Sequence, residues 1–134
     1  MPIDRLIRRD VETLPPDATC EAAARLMDAE NTGAVVVAEE GRPLGVVTDR
    51  DLFVRVMATN ERADKLLLRD VMSEDPIYLS EDRSLAHLIA TMRAEGVRRV
   101  PVVDADGQLE GLISFDDLIA LLADQLSDLV EAVC

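Results

Sequence analysis

The 134-residue chain is short of cysteine, histidine and positive charge, and it has no long apolar run. Its two cysteines, Cys20 and Cys134, lie far apart without C-x-x-C spacing, which excludes a disulfide framework and a cysteine zinc site. His87 is the only histidine, and no Cys, His or paired carboxylate stands at ligand spacing from it, so it reads as a structural residue. Lys and Arg number 14 against 27 Asp and Glu, for a net charge of −13 that repels nucleic-acid phosphates and anionic membranes. No stretch approaches the roughly 20 apolar residues of a membrane-spanning helix, and the start, MPIDRLIRRD, lacks a signal-peptide apolar region. A cytosolic protein with neither nucleic acid nor membrane as partner is expected. No nucleophile and base pair or oxidoreductase fingerprint occurs, so no catalysis and no cofactor are expected.

What is present is a 49% hydrophobic composition, enough for one compact core, and an internal repeat. Arg9-Asp10-Val11 recurs at Arg69-Asp70-Val71, an offset of 60; Asp17 and Met27 match Asp82 and Met92 at 65; Gly45, Thr48 and Asp51 match Gly111, Ser114 and Asp117 at 66. The growing offset predicts insertions in the second repeat, at Ser73 to Pro76 and in one hairpin. Each repeat begins with a short extended piece, Glu12-Thr13-Leu14 or Ile77-Tyr78-Leu79. A helix follows, capped by Thr19 or Ser84. Its apolar face is Ala23, Leu26 and Met27 in one repeat, and Leu85, Leu88, Ile89 and Met92 in the other. A hairpin comes next, built from Ala34-Val35-Val36-Val37 with Leu44 to Thr48, or from Val100-Pro101-Val102-Val103 with Leu109 to Ser114. A second helix closes each unit, from about Asp49 to Ala58 and from Phe115 onward. Residues 5–62, 66–124 and 125–134 are thus assigned to repeat 1, repeat 2 and a C-terminal helical extension. Pro101 points to an edge or strand-start position, and Met27, Met57, Met72 and Met92 to core filling.

The informative motif is G-φ-φ-[ST]-x-x-D-φ (φ apolar), found as Gly45-Val46-Val47-Thr48-Asp49-Arg50-Asp51-Leu52 and as Gly111-Leu112-Ile113-Ser114-Phe115-Asp116-Asp117-Leu118. At a strand-to-helix junction, the hydroxyl and the free N–H groups of the helix start suit a phosphate. A carboxylate three residues on suits a vicinal ribose diol. The alternative is a capping box, in which the Asp reaches back to the capping hydroxyl residue.

The strings DVETLPPDAT, GVVTDRDL, GVRRVPVVDADG and GLISFDDL together resemble the cystathionine-β-synthase (CBS) domain pair, over about residues 5–124. The resemblance implies an α/β fold of two pseudo-symmetric βαββα repeats packed as one module, with two clefts for AMP, ADP, ATP, S-adenosylmethionine or related ligands. It assigns Thr48 and Asp51 to one cleft and Ser114 and Asp117 to the other. Thr13 and Tyr78 take the first-strand position beside the base, and Ala34, Val35, Val100 and Pro101 match backbone and apolar contacts that flank it. Arg98 and Arg99 precede the second repeat's strand, where the family places basic residues against phosphate. Repeat 1 has Gly33-Ala34 there, so repeat 2 is expected to hold phosphate more tightly, unless the arginines are a solvated pair.

Asp104-Ala105-Asp106-Gly107 lacks the remaining ligands of a calcium loop and reads as a hairpin turn. Cys20, just after a helix cap, raises a redox-responsive alternative. A dimerisation scaffold with degenerate clefts is the other. The stripe Leu118, Leu122, Leu126, Leu129 and Val133 predicts a homodimer through the last helix. A sensor of an adenosine nucleotide acting on a protein effector in trans is the function expected.

Overall fold

A computed structural model describes residues 3–73 and 84–134, and its secondary structure follows the turn and cap chemistry of the sequence. After a 3-10 turn, Asp4–Leu6, strand β1 (Thr13–Leu14) leads to helix α1 (Cys20–Glu30). The Thr19 hydroxyl accepts the Ala22 N–H at 3.0 Å, and Asn31 ends the helix in the left-handed region. Strands β2 (Ala34–Glu39) and β3 (Arg42–Thr48) are joined by Glu40 and Gly41, both at positive φ, as a two-residue primed turn requires. Helix α2 covers residues 49–59 and is π-wound over Leu52–Val56. A short helix α3 (Leu68–Val71) precedes the second repeat. That repeat supplies α4 (Leu85–Glu95), β4 (Arg99–Val103), β5 (Leu109–Ser114) and α5 (Phe115–Val133). The Ser84 hydroxyl caps α4 through the His87 N–H, and Gly96 closes it.

Strand β1 pairs with β2 in parallel, β2 with β3 antiparallel, and β4 with β5 antiparallel. Alternation divides the buried strand residues between two sides. Val35, Val37 and Val47 join Ala23, Met27 and Leu52 in the first core, while Val100, Val102 and Ile113 join Leu88, Met92 and Leu118 in the second. On the other side Ala34, Val36 and Leu112 form a third cluster, through which the two sheets meet. The repeats therefore pack sheet against sheet.

Each core is completed by the segment that leads into the other repeat. Leu68 and Val71, preceding repeat 2, lie in the first core; Ile3, Leu6 and Ile7, preceding repeat 1, lie in the second. The backbone pairings match: Ser73 N–H donates to the Val46 carbonyl at 3.2 Å and Arg8 N–H to the Leu112 carbonyl at 2.9 Å. This also explains the motif glycines. A Cβ on Gly45 would lie 2.4 Å from the Ser73 carbonyl oxygen, and one on Gly111 2.3 Å from that of Arg8.

These pairings correct the repeat alignment. Ile3, Leu6 and Arg8 correspond to Leu68, Val71 and Ser73, a shift of 65, so the Arg-Asp-Val match at 60 is out of register. The single inserted residue lies in the second hairpin, where Asp104 Oδ1 accepts the N–H groups of Asp106 and Gln108. Two further expectations change: Met57 is 70% exposed rather than core filler, and Ile89 is 43% exposed. Pro101 is buried in the middle of β4, an edge strand of the two-stranded sheet among the described residues. Pro101 is tolerated there because its counterpart Val36 sends its N–H to the Glu12 carbonyl, away from the hairpin partner. The strand expected at Ile77-Tyr78-Leu79 lies outside the described residues.

Candidate functional site

At the end of β3 the chain turns from a strand into α2, and Thr48 and Asp51 close a reciprocal capping box. The Thr48 hydroxyl accepts the Asp51 N–H at 3.1 Å, and one Asp51 carboxylate oxygen accepts the Thr48 N–H at 2.9 Å. The capping reading of the motif is thus realised, but it does not exhaust the groups. The Thr48 hydroxyl keeps its proton to donate, and Asp51 keeps its second oxygen. The free N–H groups expected at the helix start are not free. Asp49 N–H donates to the Gly33 carbonyl, Arg50 N–H to the Asp49 carboxylate and Asp51 N–H to Thr48. An anion here must be met by side chains.

Thr48 and Asp51 open onto a cleft of about 320 Å³ that is also lined by Asp49, Arg50, Ser73, Arg98 and Arg99. That volume lies at the small end of ligand pockets. The two arginines are engaged differently. Arg98 lies over the Phe115 ring at 4.7 Å and donates to Asp116 at 3.1 Å, so it is engaged within its own repeat. The Arg99 guanidinium reaches to 3.6 Å from the Cβ position of Gly33, beside the Asp49 carboxylate, and makes no ion pair or hydrogen bond with the described residues. The sequence reading assigned the arginines to the Ser114 cleft; instead both line the cleft of Thr48 and Asp51, where Arg99 is the uncommitted one among the described residues.

The pseudo-equivalent cleft is arranged differently. The Ser114 hydroxyl caps α5 by accepting the Asp117 N–H at 3.1 Å. The Asp117 carboxylate is held by Arg8, whose Nε and Nη2 donate to its two oxygens at 2.6 and 2.9 Å. The hydrogen bonds from Arg8 hold the Asp117 carboxyl below its ordinary range, against the opposing effect of burial, and the Arg8 guanidinium is raised in turn. Arg8 occupies the place that Ser73 has in the first cleft.

The other expected site residues disperse. Val35 and Val100 are fully buried with their side chains in the two cores, and Ala34 faces the sheet interface. Pro101 is buried between Val100 and Val102, and the side chains of Ala34, Val35 and Val100 pack on the apolar motif residues Leu112, Val47 and Ile113 rather than beside the hydroxyl and carboxylate. Thr13 lines a separate cavity of about 440 Å³ at the hairpin end, with Arg9, Glu40, Gln108 and Glu110. Tyr78 lies outside the described residues. Arg8 and Ser73 were missed. The signal that would have found them is the constant shift of 65, hidden by the Arg-Asp-Val coincidence. Cys20 is buried at 1% exposure, and desolvation, helped by Asp70, pushes its thiol up, so the helix start does not activate it. Among the described residues no group of acidic, histidine or cysteine side chains is placed to hold a metal, and no helix is long and apolar enough to cross a membrane.

A family model described as CBS domain matches residues 3–58 and again 68–124. The chain is 33% identical over 118 residues to an uncharacterised protein of Methanopyrus kandleri, spanning 87% of this chain and 60% of that one. It is 34% identical over 108 residues to a CBS domain-containing protein of Bacillus subtilis, covering 81% and 76% of the two chains. Among solved structures, a CBS domain protein of Pyrobaculum aerophilum complexed with AMP superposes with a TM-score of 0.80 at 26% identity, over 95% of this chain and 99% of that one.

Proposed function

The chain belongs to the CBS domain family, and from that premise we propose that it is a regulatory rather than catalytic module that binds AMP, ADP or ATP in the cleft of Thr48, Asp51 and Arg99. One observation carries the reading: a donor hydroxyl, a carboxylate oxygen and a guanidinium, the last two without a partner among the described residues, meet in one cleft. These are the complements of a ribose diol and a phosphate. The AMP complex of the Pyrobaculum relative supports the ligand class. Isothermal titration of the full chain with AMP, ADP, ATP and S-adenosylmethionine tests it, with Asp51→Ala and Thr48→Ala alongside. At least one nucleotide is expected to bind, and Asp51→Ala to weaken it about tenfold or more. No binding by any of the four, or unchanged affinity in both variants, overturns the reading.

Signalling then runs to a protein effector in trans, in the cytoplasm, from a homodimer. Ile119, Leu126, Leu129, Val130 and Val133 are exposed along α5, and Phe53 and Met57 are each 70% exposed on α2. A second copy covering these faces removes apolar surface from water. Light scattering should give a dimer for the full chain and a weaker one for a chain ending at Ala123; a monomeric full chain removes the dimer.

A further inference from the structure

We infer that Arg8 closes the second cleft to ribose-bearing ligands, so that each chain takes one nucleotide rather than two; the inference rests on the nucleotide reading of the first cleft. A vicinal diol donates to both oxygens of a carboxylate along one edge, and on Asp117 that edge is taken by the two-pronged Arg8 fork at 2.6 and 2.9 Å, which a diol must displace. Exposed ion pairs are usually weak, and the Arg8 side chain is 66% exposed, but this pair has the bidentate geometry that is the exception.

The fork is also anchored from behind. Arg8 N–H donates to the Leu112 carbonyl at 2.9 Å and Leu112 N–H donates back at 3.0 Å, while Ile3, Leu6 and Ile7 are buried in the second core. The guanidinium thus cannot leave with its backbone unless that core opens. Nor does the second cleft offer a substitute. Asp116 is engaged by Arg98, and Gly33 and Ala34 stand where the first cleft has Arg98 and Arg99, so among the described residues Arg8 is the cation there and it is committed. In the first cleft the corresponding residue is Ser73, too short to reach Asp51 in this way.

Isothermal titration with AMP reads the number of sites on the full chain, on Arg8→Ser, which installs the first cleft's residue, and on each combined with Asp51→Ala. The wild-type chain should bind one AMP, and Asp51→Ala should weaken it about tenfold or more. Arg8→Ser should bind two, and Arg8→Ser with Asp51→Ala should keep one. Two sites on the wild-type chain, or no additional site in Arg8→Ser, overturns the inference and leaves the first-cleft reading standing if Asp51→Ala still loses a site. Conversely, no site on the wild-type chain but one on Arg8→Ser that Asp117→Ala removes overturns the first-cleft reading and supports closure by Arg8. If Arg8→Ser fails to fold, Arg8→Gln, which keeps a polar side chain but loses the charge, the reach and the fork, answers the same question.

Discussion

In the first cleft Asp51 spends one oxygen on its own helix cap and keeps the other, with Arg99 uncommitted nearby; in the second, Asp117 spends both on Arg8, and Arg98 is drawn away to Phe115 and Asp116. The two motifs are nearly the same string on nearly the same backbone. Their difference comes from residues outside the motif, on the segments that each repeat lends to the other. A hydroxyl and a carboxylate at the right spacing mark a place where a nucleotide could sit; what faces them decides whether the groups are available.

The largest effect should come from breaking what the two halves share. Leu68 is fully buried in the core of the repeat it does not belong to, so Leu68→Ala should cost about 2–5 kcal/mol in chemical denaturation. A loss below about 1 kcal/mol would show that the lent segment is not part of that core. Next, the carboxylates should separate the clefts. Asp51→Ala should lose about 1.5–3 kcal/mol of AMP binding, whereas Asp117→Ala in the wild-type background should change it little; equal losses would erase the distinction.

A smaller contrast is expected between neighbouring arginines. Arg99→Ala should weaken AMP several-fold and flatten the salt dependence of binding, while Arg98→Ala leaves both near wild type. Titrations at two salt concentrations check this. The smallest effect is in pH. Because Arg8 depresses the Asp117 carboxyl, the pair stabilises the fold above the ordinary carboxylate range and that contribution is lost as pH falls through the depressed value. Carboxyl NMR should find Asp117 titrating below its ordinary range in the wild-type chain and moving up in Arg8→Ser. An unchanged titration would show that the pair does not form in solution.

Much of this was legible in the residues. The caps at Thr19 and Ser84, both hairpins and the division into two repeats follow from turn chemistry and periodicity, which act locally and leave local marks. The packing of Leu68 and Val71 against one repeat and of Ile3 and Leu6 against the other left only a pattern at a shift of 65, weaker to the eye than an identical tripeptide at 60. The motif hydroxyls and carboxylates were found, but their bonding states were not. Whether Asp117 is free depends on Arg8, more than a hundred positions away, and spacing within a motif carries no information about such a partner.

The lent segments also impose an order on synthesis. Leu68 and Val71 leave the ribosome soon after the first hairpin, so the first core is whole while the chain is still being made. Ile3, Leu6 and Ile7 are made well before the α4, β4, β5 and α5 residues they pack with. They are made before the first core and enclosed after it. Closing that long loop is the slow, entropically costly step, and it is the same step that brings Arg8 to Asp117.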